Sequence, residues 1–356
     1  MNLDDLRTDI DRIDERLLSL LEERMEKALL TKVFKEGRVA DPKREADVLD
    51  RTRRPLRRLV SPDFAVGIWK NLMAEGRIIQ EKGFHTIGFQ GEHGAWSEVA
   101  AKAWNKDYAS IPCREFVDVF DAVRDGNFDF GIVPVENTLG GLVGPVNAIL
   151  VYADLRIVAA VDLPVTHCLL SLPGTDYREI RQVYSHSQAL TQCRGFLNRN
   201  RLNPVQYYDT AGAAKMIAEE RPRDTAAIGS RYAGELYGLE VIKEGIQDAE
   251  VNRTRFFVLA REDIERSSGG LRQKCSAVFN ATDKAGGLFG VLEIFAKAEI
   301  NLTRIESVPD KPGDYAIFID FEGDEREPGV AKAIDEATKA TRGFRLLGCY
   351  DEARVQ

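Results

Sequence analysis

Residues 1–36 contain neither Gly nor Pro, and Leu3, Leu6, Ile10, Ile13, Leu17 and Leu20 recur at alternating steps of three and four. That spacing keeps an apolar stripe on one face of a long helix, which must bury the stripe against other helices. The next place in the stripe holds Arg24. A cation there either meets an anion or snorkels to water. Lys35 lies close to the same helix face, about 16 Å further along, so Arg24 and Lys35 can converge on one small ligand. Arg7 is about 25 Å from Arg24 and points elsewhere around the helix. If Arg7 serves such a ligand, it serves one held by a partner chain, which predicts an intertwined dimer.

Gly37 closes this helix in the sequence pattern. Asp41-Pro42 supplies an N-cap and a first-turn proline for a second helix, and Ser61-Pro62 repeats the signal for a third that ends at Gly83. Arg44 and Glu45 fall in the second helix's first turns, and Gln80 near the end of the third. Arg51, Arg53, Arg54, Arg57 and Arg58 read as a solvated face, with an RNA patch as the competing reading. The balance of 49 Lys and Arg against 57 Asp and Glu gives a net charge of −8, which argues against general nucleic-acid binding. No apolar run reaches the ~20 residues of a membrane span. The start shows no basic, then apolar, leader pattern, so a cytoplasmic protein is expected. The five cysteines are widely separated and odd in number, which predicts free thiols. None of the four histidines has metal-ligand spacing to another His or Cys; no metal or cofactor is expected.

From His85 onward, short apolar strands alternate with helical segments, an α/β pattern with a mostly parallel sheet. Gly91-Glu92-His93-Gly94 is a glycine-rich turn between strand and helix that can bring backbone N–H groups to an anion, with His93 read as an ordinary loop residue. Glu136-Asn137-Thr138 and Ser185-His186-Ser187-Gln188 both follow apolar strands, where ligands bind in such sheets, and the second opens a helix carrying Gln192. Asn252-Arg253-Thr254-Arg255 leads into the buried strand 256–260, which fixes one amide, one hydroxyl and two guanidinium groups at a rigid edge. Two arginines beside a hydroxyl suit a small polyanion, although solvated arginines at a strand start are the simpler reading.

Three resemblances emerge in order. Arg7, Arg24, Lys35, Asp41, Arg44, Glu45 and Gln80 within 1–83 resemble the all-helical chorismate mutases. That resemblance implies that Arg7 (from the partner), Arg24 and Arg44 hold the substrate carboxylates and that Lys35 and Gln80 donate to the ether oxygen. Glu45 would hold the ring hydroxyl, Asp41 would lie beside it, and Gly76 stands where members often carry Ser. A Claisen rearrangement needs a folded dianion and donors aimed at an oxygen that gains charge, with no nucleophile or base. Glu136-Asn137-Thr138, Ser185-His186-x-Gln188 with Gln192, and Thr254-Arg255-Phe256 resemble a prephenate dehydratase domain over about 84–266. The resemblance implies two α/β lobes like those of solute-binding proteins, Thr254 as donor to the departing hydroxyl with help from Asn137, Ser185 and Gln192, and Arg255 on a carboxylate, with a structural pairing of Arg255 as the equal alternative.

Beyond the linker-like Ser267-Ser268-Gly269-Gly270, the order βαββαβ is ferredoxin-like. With Gly286-Gly287-Leu288 and Glu306-Ser307-Val308-Pro309, residues 272–356 resemble an ACT domain. This implies phenylalanine near Gly286, Gly287, Leu288, Glu306 and Ser307 at an interface between two such domains, with Val308 in place of the usual Arg. A ligand-free dimerisation module is the competing reading. The expected whole is a multidomain bifunctional enzyme with chorismate, prephenate and phenylalanine as ligands, a homodimer or larger, with neither nucleic acid nor membrane as partner. An arogenate-preferring dehydratase and a small-molecule sensor on a solute-binding fold are the alternatives.

Overall fold

The computed structural model describes residues 2–35, 39–53, 59–266, 272–280, 286–309 and 315–356. Gly37, Arg54, Arg57, Arg58 and the 267–270 segment lie outside them. Two units form, Met1–His85 and Thr86–Gln356.

In the first unit, α1 (Leu3–Leu30), α2 (Pro42–Thr52) and α3 (Pro62–Lys82) are three helices. Asn2 and Asp5 cap the start of α1 reciprocally, each side chain bonded to the other's backbone N–H at 2.8 Å. Asp41 and Ser61 cap the next two helices as their sequence implies. The expected long helix stops earlier than its pattern: α1 ends at Leu30 and a 3₁₀ turn, Thr31–Phe34, follows. Lys35 therefore stands beyond the helix rather than on it. The apolar stripe of α1 is bare, with Leu3 61%, Ile10 57% and Leu20 59% exposed. A helix cannot leave such a stripe in water at no cost, since each fully buried Leu or Ile is worth about 1.5–3 kcal/mol.

The second unit runs β1 (Thr86–Gln90), α4 (Trp96–Trp104), β2 (Ala109–Cys113), α5 (Phe116–Arg124), β3 (Phe130–Asn137), β4 (Gly141–Leu142), α6 (Gly144–Leu150) and β5 (Arg156–Pro164). These belong to the first lobe. The second lobe holds β6 (Cys168–Ser171), β7 (Gln182–Ser185), α7 (Ser187–Gln192), α8 (Arg194–Arg199), β8 (Asn203–Gln206), α9 (Thr210–Glu220), β9 (Thr225–Gly229), α10 (Arg231–Leu236) and β10 (Glu240–Glu244). Then β11 (Arg253–Ala260) returns to the first lobe, between β3 and β5 and antiparallel to both. The sheets are mixed rather than mostly parallel: β1, β2 and β3 run parallel, as do β7, β8 and β9, while β6, β10 and β11 pair antiparallel.

The rest is β12 (Arg272–Asn280), α11 (Gly287–Lys297), β13 (Leu302–Pro309), β14 (Tyr315–Glu322), α12 (Pro328–Ala340) and β15 (Arg342–Arg354). Strand order β13-β14-β12-β15 with antiparallel pairs is the ferredoxin-like arrangement. The end of β15 keeps β12 on one edge and pairs parallel with β5 on the other, so the C-terminal and first-lobe strands form one ten-stranded sheet. Gly348 sits at this crossing; a Cβ there would run into the Ile157 backbone. The expectation of free thiols is corrected for one pair. Cys275 and Cys349 stand opposite each other on β12 and β15, Cα to Cα 3.9 Å, and form a disulfide. Cys113, Cys168 and Cys193 are thiols.

Candidate active sites

A cavity of about 500 Å³ in the helical unit is lined by Arg24, Arg44, Val48, Arg51, Thr52, Ala65 and Trp69. Two of the expected carboxylate binders are there. Arg51, read from sequence as solvated, joins them; as one of a run of exposed cations it carried no distinguishing signal. Arg24 donates to the Leu72 carbonyl at 2.9 Å, which fixes one edge of its guanidinium. Gly76 on α3 faces α1, where a Cβ would stand in ordinary contact, 3.4 Å from Ala28 and 4.0 Å from the Arg24 guanidinium. Lys35 and Gln80 meet as expected: Lys35 Nζ donates to Gln80 Oε1 at 3.1 Å and to the Val39 carbonyl at 2.8 Å. Gln80 Nε2 donates to the Ala28 carbonyl and to Thr31. Its two amide protons are thus in use, and the third Lys35 proton is the one left over. Asp41 accepts from the Arg44 backbone N–H at 2.9 Å, so its carboxylate is a helix cap that sets the start of α2. Glu45 is paired with Arg77 at 2.5 Å. Arg7 is exposed, with Asp4 at 3.6 Å as its neighbour.

In the second unit the two chain crossings between the lobes lie side by side, with Val165 N–H donating to the Asn252 carbonyl at 2.8 Å. Above them lies a network whose polarity can be worked out. Leu139 and Gly140 N–H groups donate to Asn137 Oδ1 at 2.9 and 2.7 Å, which fixes that amide. Gln192 Nε2 must then be the donor to the same oxygen at 3.2 Å, and Gln192 Oε1 accepts from Asn252 Nδ2 at 3.1 Å. His167 Nε2, 2.7 Å from Gln192 Oε1, therefore carries the proton. Burial holds His167 below its ordinary pKa despite the bond to Gln192, so the ring is neutral. On the other side, Asn137 Nδ2 donates to Asn252 Oδ1 at 2.8 Å and to Thr254 Oγ1 at 2.9 Å. The threonine oxygen accepts, and its own O–H is left to donate elsewhere.

Thr254, Asn137 and Gln192 are thus brought together as expected, and two further members were missed. Asn252 stood in the recognised stretch without a role. His167 stood inside an apolar run, Val165 to Leu170, where a lone polar ring was the available signal. Every side chain in this network is neutral. Gln188 of the second lobe lies against Gly140 of the first, where any Cβ would overlap its amide.

Two expectations are corrected. Ser185 is fully buried and its hydroxyl donates to the Ile228 carbonyl at 2.7 Å, tying β7 to β9 rather than joining the network. Arg255 points to the opposite face of β11 from Thr254, where Asp320, Glu352 and Glu136 surround its guanidinium. A cavity of about 680 Å³ opens on that face, lined by Arg253, Arg255, Lys274, Asp162, Glu136 and Glu352 among others, whose charges pair with one another. The Gly91–Gly94 turn is not an open anion cradle either: Gly91 N–H donates to the Cys113 carbonyl and Gly94 N–H to Glu98.

Of the residues expected to meet phenylalanine, Gly286 begins α11 with φ 85°, Gly287 and Leu288 form its first turn, and Glu306 and Ser307 lie on β13. Val308 is buried. The segment 283–285 lies outside the described residues. Among the described residues no helix is long and apolar enough to cross a membrane.

A helical unit with a basic cavity, a two-lobed α/β domain with a hinge hydroxyl and a ferredoxin-like tail define a two-site enzyme with a ligand-binding module. Residues 6–81 match the family Chorismate mutase type II, 87–264 Prephenate dehydratase and 276–338 the ACT domain. A bifunctional chorismate mutase/prephenate dehydratase of Aquifex aeolicus is 34% identical over 366 residues, covering 99% of each chain. Arogenate dehydratase/prephenate dehydratase 2 of Arabidopsis thaliana is 38% identical over 74% of this chain and 72% of its own. The crystal structure of an Arthrobacter aurescens prephenate dehydratase in complex with L-Phe is 30% identical, with TM-score 0.69 over 75% of this chain and 89% of its own. The chain belongs to the family of bifunctional chorismate mutase/prephenate dehydratases.

Proposed function

We propose that the helical domain rearranges chorismate to prephenate and that the two-lobed domain converts prephenate to phenylpyruvate. The observation that carries the second step is the ordered donor chain from His167 through Gln192 and Asn137 to Thr254. It orients the Thr254 hydroxyl as a donor. In the reaction the bond to the ring carboxylate breaks, CO2 leaves, its electron pair enters the ring, and the ring C–O bond breaks. The departing oxygen takes a proton and leaves as water. Thr254 donates the hydrogen bond to that oxygen, and the proton itself arrives through it or from water. A network of neutral amides places no cation against the carboxylate to be lost, so its charge is not held in place and can pass into the ring as CO2 leaves.

For the mutase step, Arg24, Arg44 and Arg51 supply guanidinium forks for the two carboxylates and Lys35 supplies the remaining N–H for the ether oxygen. The bare stripe of α1 supports a dimer in which a second copy covers it and Arg7 reaches the partner's cavity. Phenylalanine bound at Gly286, Gly287, Leu288, Glu306 and Ser307 would regulate the dehydratase. The neutral network at Thr254 is also compatible with arogenate, the amino analogue, and a relative named for both substrates supports testing it.

The test is to supply chorismate to the purified protein and follow prephenate and phenylpyruvate, with and without phenylalanine. Comparing kcat/KM for prephenate and arogenate separates the two substrates. Binding of prephenate without formation of phenylpyruvate would refute the dehydratase assignment.

A further inference from the structure

Arg255 is adjacent to Thr254 and 93% buried, yet it faces away from the cleft. Its guanidinium contacts Asp320 of β14 at 2.5 Å, Glu352 of β15 at 2.7 Å, Tyr350 Oη at 3.0 Å and Glu136 of β3 at 3.3 Å. It also lies over the Phe257 ring at 4.9 Å. Glu136 is the immediate neighbour of Asn137, the residue that holds the Thr254 hydroxyl.

The other side of the cluster comes from every strand of the regulatory sheet. Ser276 of β12 donates to Asp320 at 2.5 Å, and Lys274 of β12 pairs with Glu352 at 2.6 Å. Arg304 of β13 lies 3.8 Å from Glu136 and 3.9 Å from Asp320, and donates to Asn147 at 2.6 Å. Asn147 in turn donates to the Val135 carbonyl of β3 at 2.9 Å. Arg304 alternates with Glu306 on the same face of β13, the strand assigned to the ligand. Three cations, Arg255, Arg304 and Lys274, thus meet three carboxylates, Glu136, Asp320 and Glu352, in one buried cluster.

Such a cluster stabilises little in net terms, because desolvation offsets attraction, but removing one partner strands the others. Burial works against the Arg255 charge, yet Tyr350, Asp320, Glu352 and Glu136 hold its pKa well above the ordinary value. Burial likewise pushes Asp320 up, and Arg255, Arg304 and Ser276 outweigh it. Arg255 and Asp320 therefore keep their charges, and the geometry of the cluster is what can change.

We propose that Arg255 is a positioning residue that couples the regulatory sheet to the catalytic hydroxyl, by clamping Glu136 beside Asn137 to Asp320 and Glu352 of the C-terminal domain. A shift of β13 or β14 moves the clamp, and the clamp moves Thr254 and Asn137 on the two strands it joins. Sub-ångström displacement of a donor is enough to change turnover, since a 1 Å misplacement can cost about 100-fold. The ligand arm of this inference rests on the regulatory reading above; the catalytic arm does not.

The test uses the full-length protein carrying Arg255→Lys, Asp320→Asn or both, assayed for prephenate turnover with and without phenylalanine and checked for folding by its thermal unfolding midpoint. Lysine keeps the charge but cannot fork to three carboxylates. The expected result is a kcat reduced about 10- to 100-fold in each single variant, with KM changed less than about threefold because Arg255 does not touch substrate. The double variant should be no worse than the worse single one, since both open the same cluster. Phenylalanine should alter the variants' kcat by a factor closer to one than it alters the parent's. A raised KM at unchanged kcat would put Arg255 on the substrate and overturn the proposal, and additive losses in the double variant would do the same. If Arg255→Lys unfolds, Glu136→Gln keeps the side chain's shape and is read by the same criteria. A parent enzyme indifferent to phenylalanine sinks the regulatory reading alone, because the kcat and additivity criteria need no phenylalanine.

Discussion

Replacing Thr254 by valine keeps a β-branched residue on a strand and removes one oxygen. In the folded protein that oxygen receives one hydrogen bond, from Asn137 Nδ2 at 2.9 Å. Asn137 Nδ2 keeps Asn252 Oδ1 at 2.8 Å and the Arg253 carbonyl at 3.0 Å as acceptors, so no buried donor is orphaned. The cost to folding is then that of one ordinary hydrogen bond, about 0.5–1.5 kcal/mol. The cost to chemistry is larger, because the donor to the leaving oxygen is lost: about 100- to 10,000-fold in kcat, or roughly 2.7–5.5 kcal/mol of barrier. Thr254→Ser restores the oxygen without the methyl group and should recover most of the loss. The assay is phenylpyruvate formation from saturating prephenate, with chorismate consumption in the same sample as the internal reference. A Thr254→Val enzyme within about tenfold of the parent's kcat, or one that loses only KM, would refute the assignment of this hydroxyl.

Gln80→Glu should make mutase turnover fall as pH rises from mildly acidic to neutral, because the ionised carboxylate cannot donate to the Ala28 carbonyl and draws Lys35, 3.1 Å away, from the ether oxygen, while Lys35 favours that ionised form; the parent's kcat should stay flat over that range. Mixing Arg7→Ala with Lys35→Ala chains should restore part of the mutase activity that each lacks alone, since one site of the heterodimer is intact; absence of rescue in a confirmed heterodimer would rule out the partner role of Arg7. Gly140→Ala should lower prephenate turnover and leave chorismate turnover unchanged, because its Cβ displaces the Gln188 amide packed against it and stands 3.4 Å from Asn137 Oδ1. Burial pushes the Cys168 thiol up to about 11 and the Cys193 thiol up to about 12. At pH 8 their thiolate fractions are about 0.1% and 0.01%, so iodoacetamide should label native protein at Cys113 well before either. The same raised values favour folding while the thiols are neutral, below their ordinary ionisation range, and that contribution is lost as pH rises towards 11 and 12.

What could be read before folding depended on whether a residue's duty is set by its own element. The caps at Asp41 and Ser61 and the order of strands in the C-terminal domain are local, and the chain folds as they imply; the stripe of α1 gives a helix, but one that ends at Leu30 with the stripe exposed. Arg24 was legible because helix spacing sets it on the stripe of α1, whereas Lys35 stands past the end of that helix and Gln80 on α3, so their 3.1 Å contact is tertiary. His167 and Gln192 are on different elements, and only the folded hinge puts 2.7 Å between them. Cys275 and Cys349, 74 residues apart, face each other only because β12 and β15 pair in one register. The early end of α1 reflects Thr31, whose hydroxyl turns back to the Ala28 carbonyl at 2.7 Å and competes with the helix.

Arg255 shows a signal that was present and underused. Side chains on a strand alternate, so Thr254 cannot share a face with Arg253 and Arg255. If Thr254 addresses the cleft, both arginines address the far side. There Arg253 meets Asp162 of β5 at 2.9 Å and Arg255 meets the acids of β14 and β15. A guanidinium beside the leaving carboxylate would have anchored the group that must depart, whereas behind the strand it fixes the strand. The proposed roles in the triplet Thr254-Arg255-Phe256 therefore divide by face: the hydroxyl would act on substrate and the guanidinium on the C-terminal sheet, while Phe256, 1% exposed, fills the two-lobed domain's core. Replacing Arg255 and replacing Thr254 should for that reason differ in kind, the first changing how the site answers to the C-terminal domain and the second removing the donor outright.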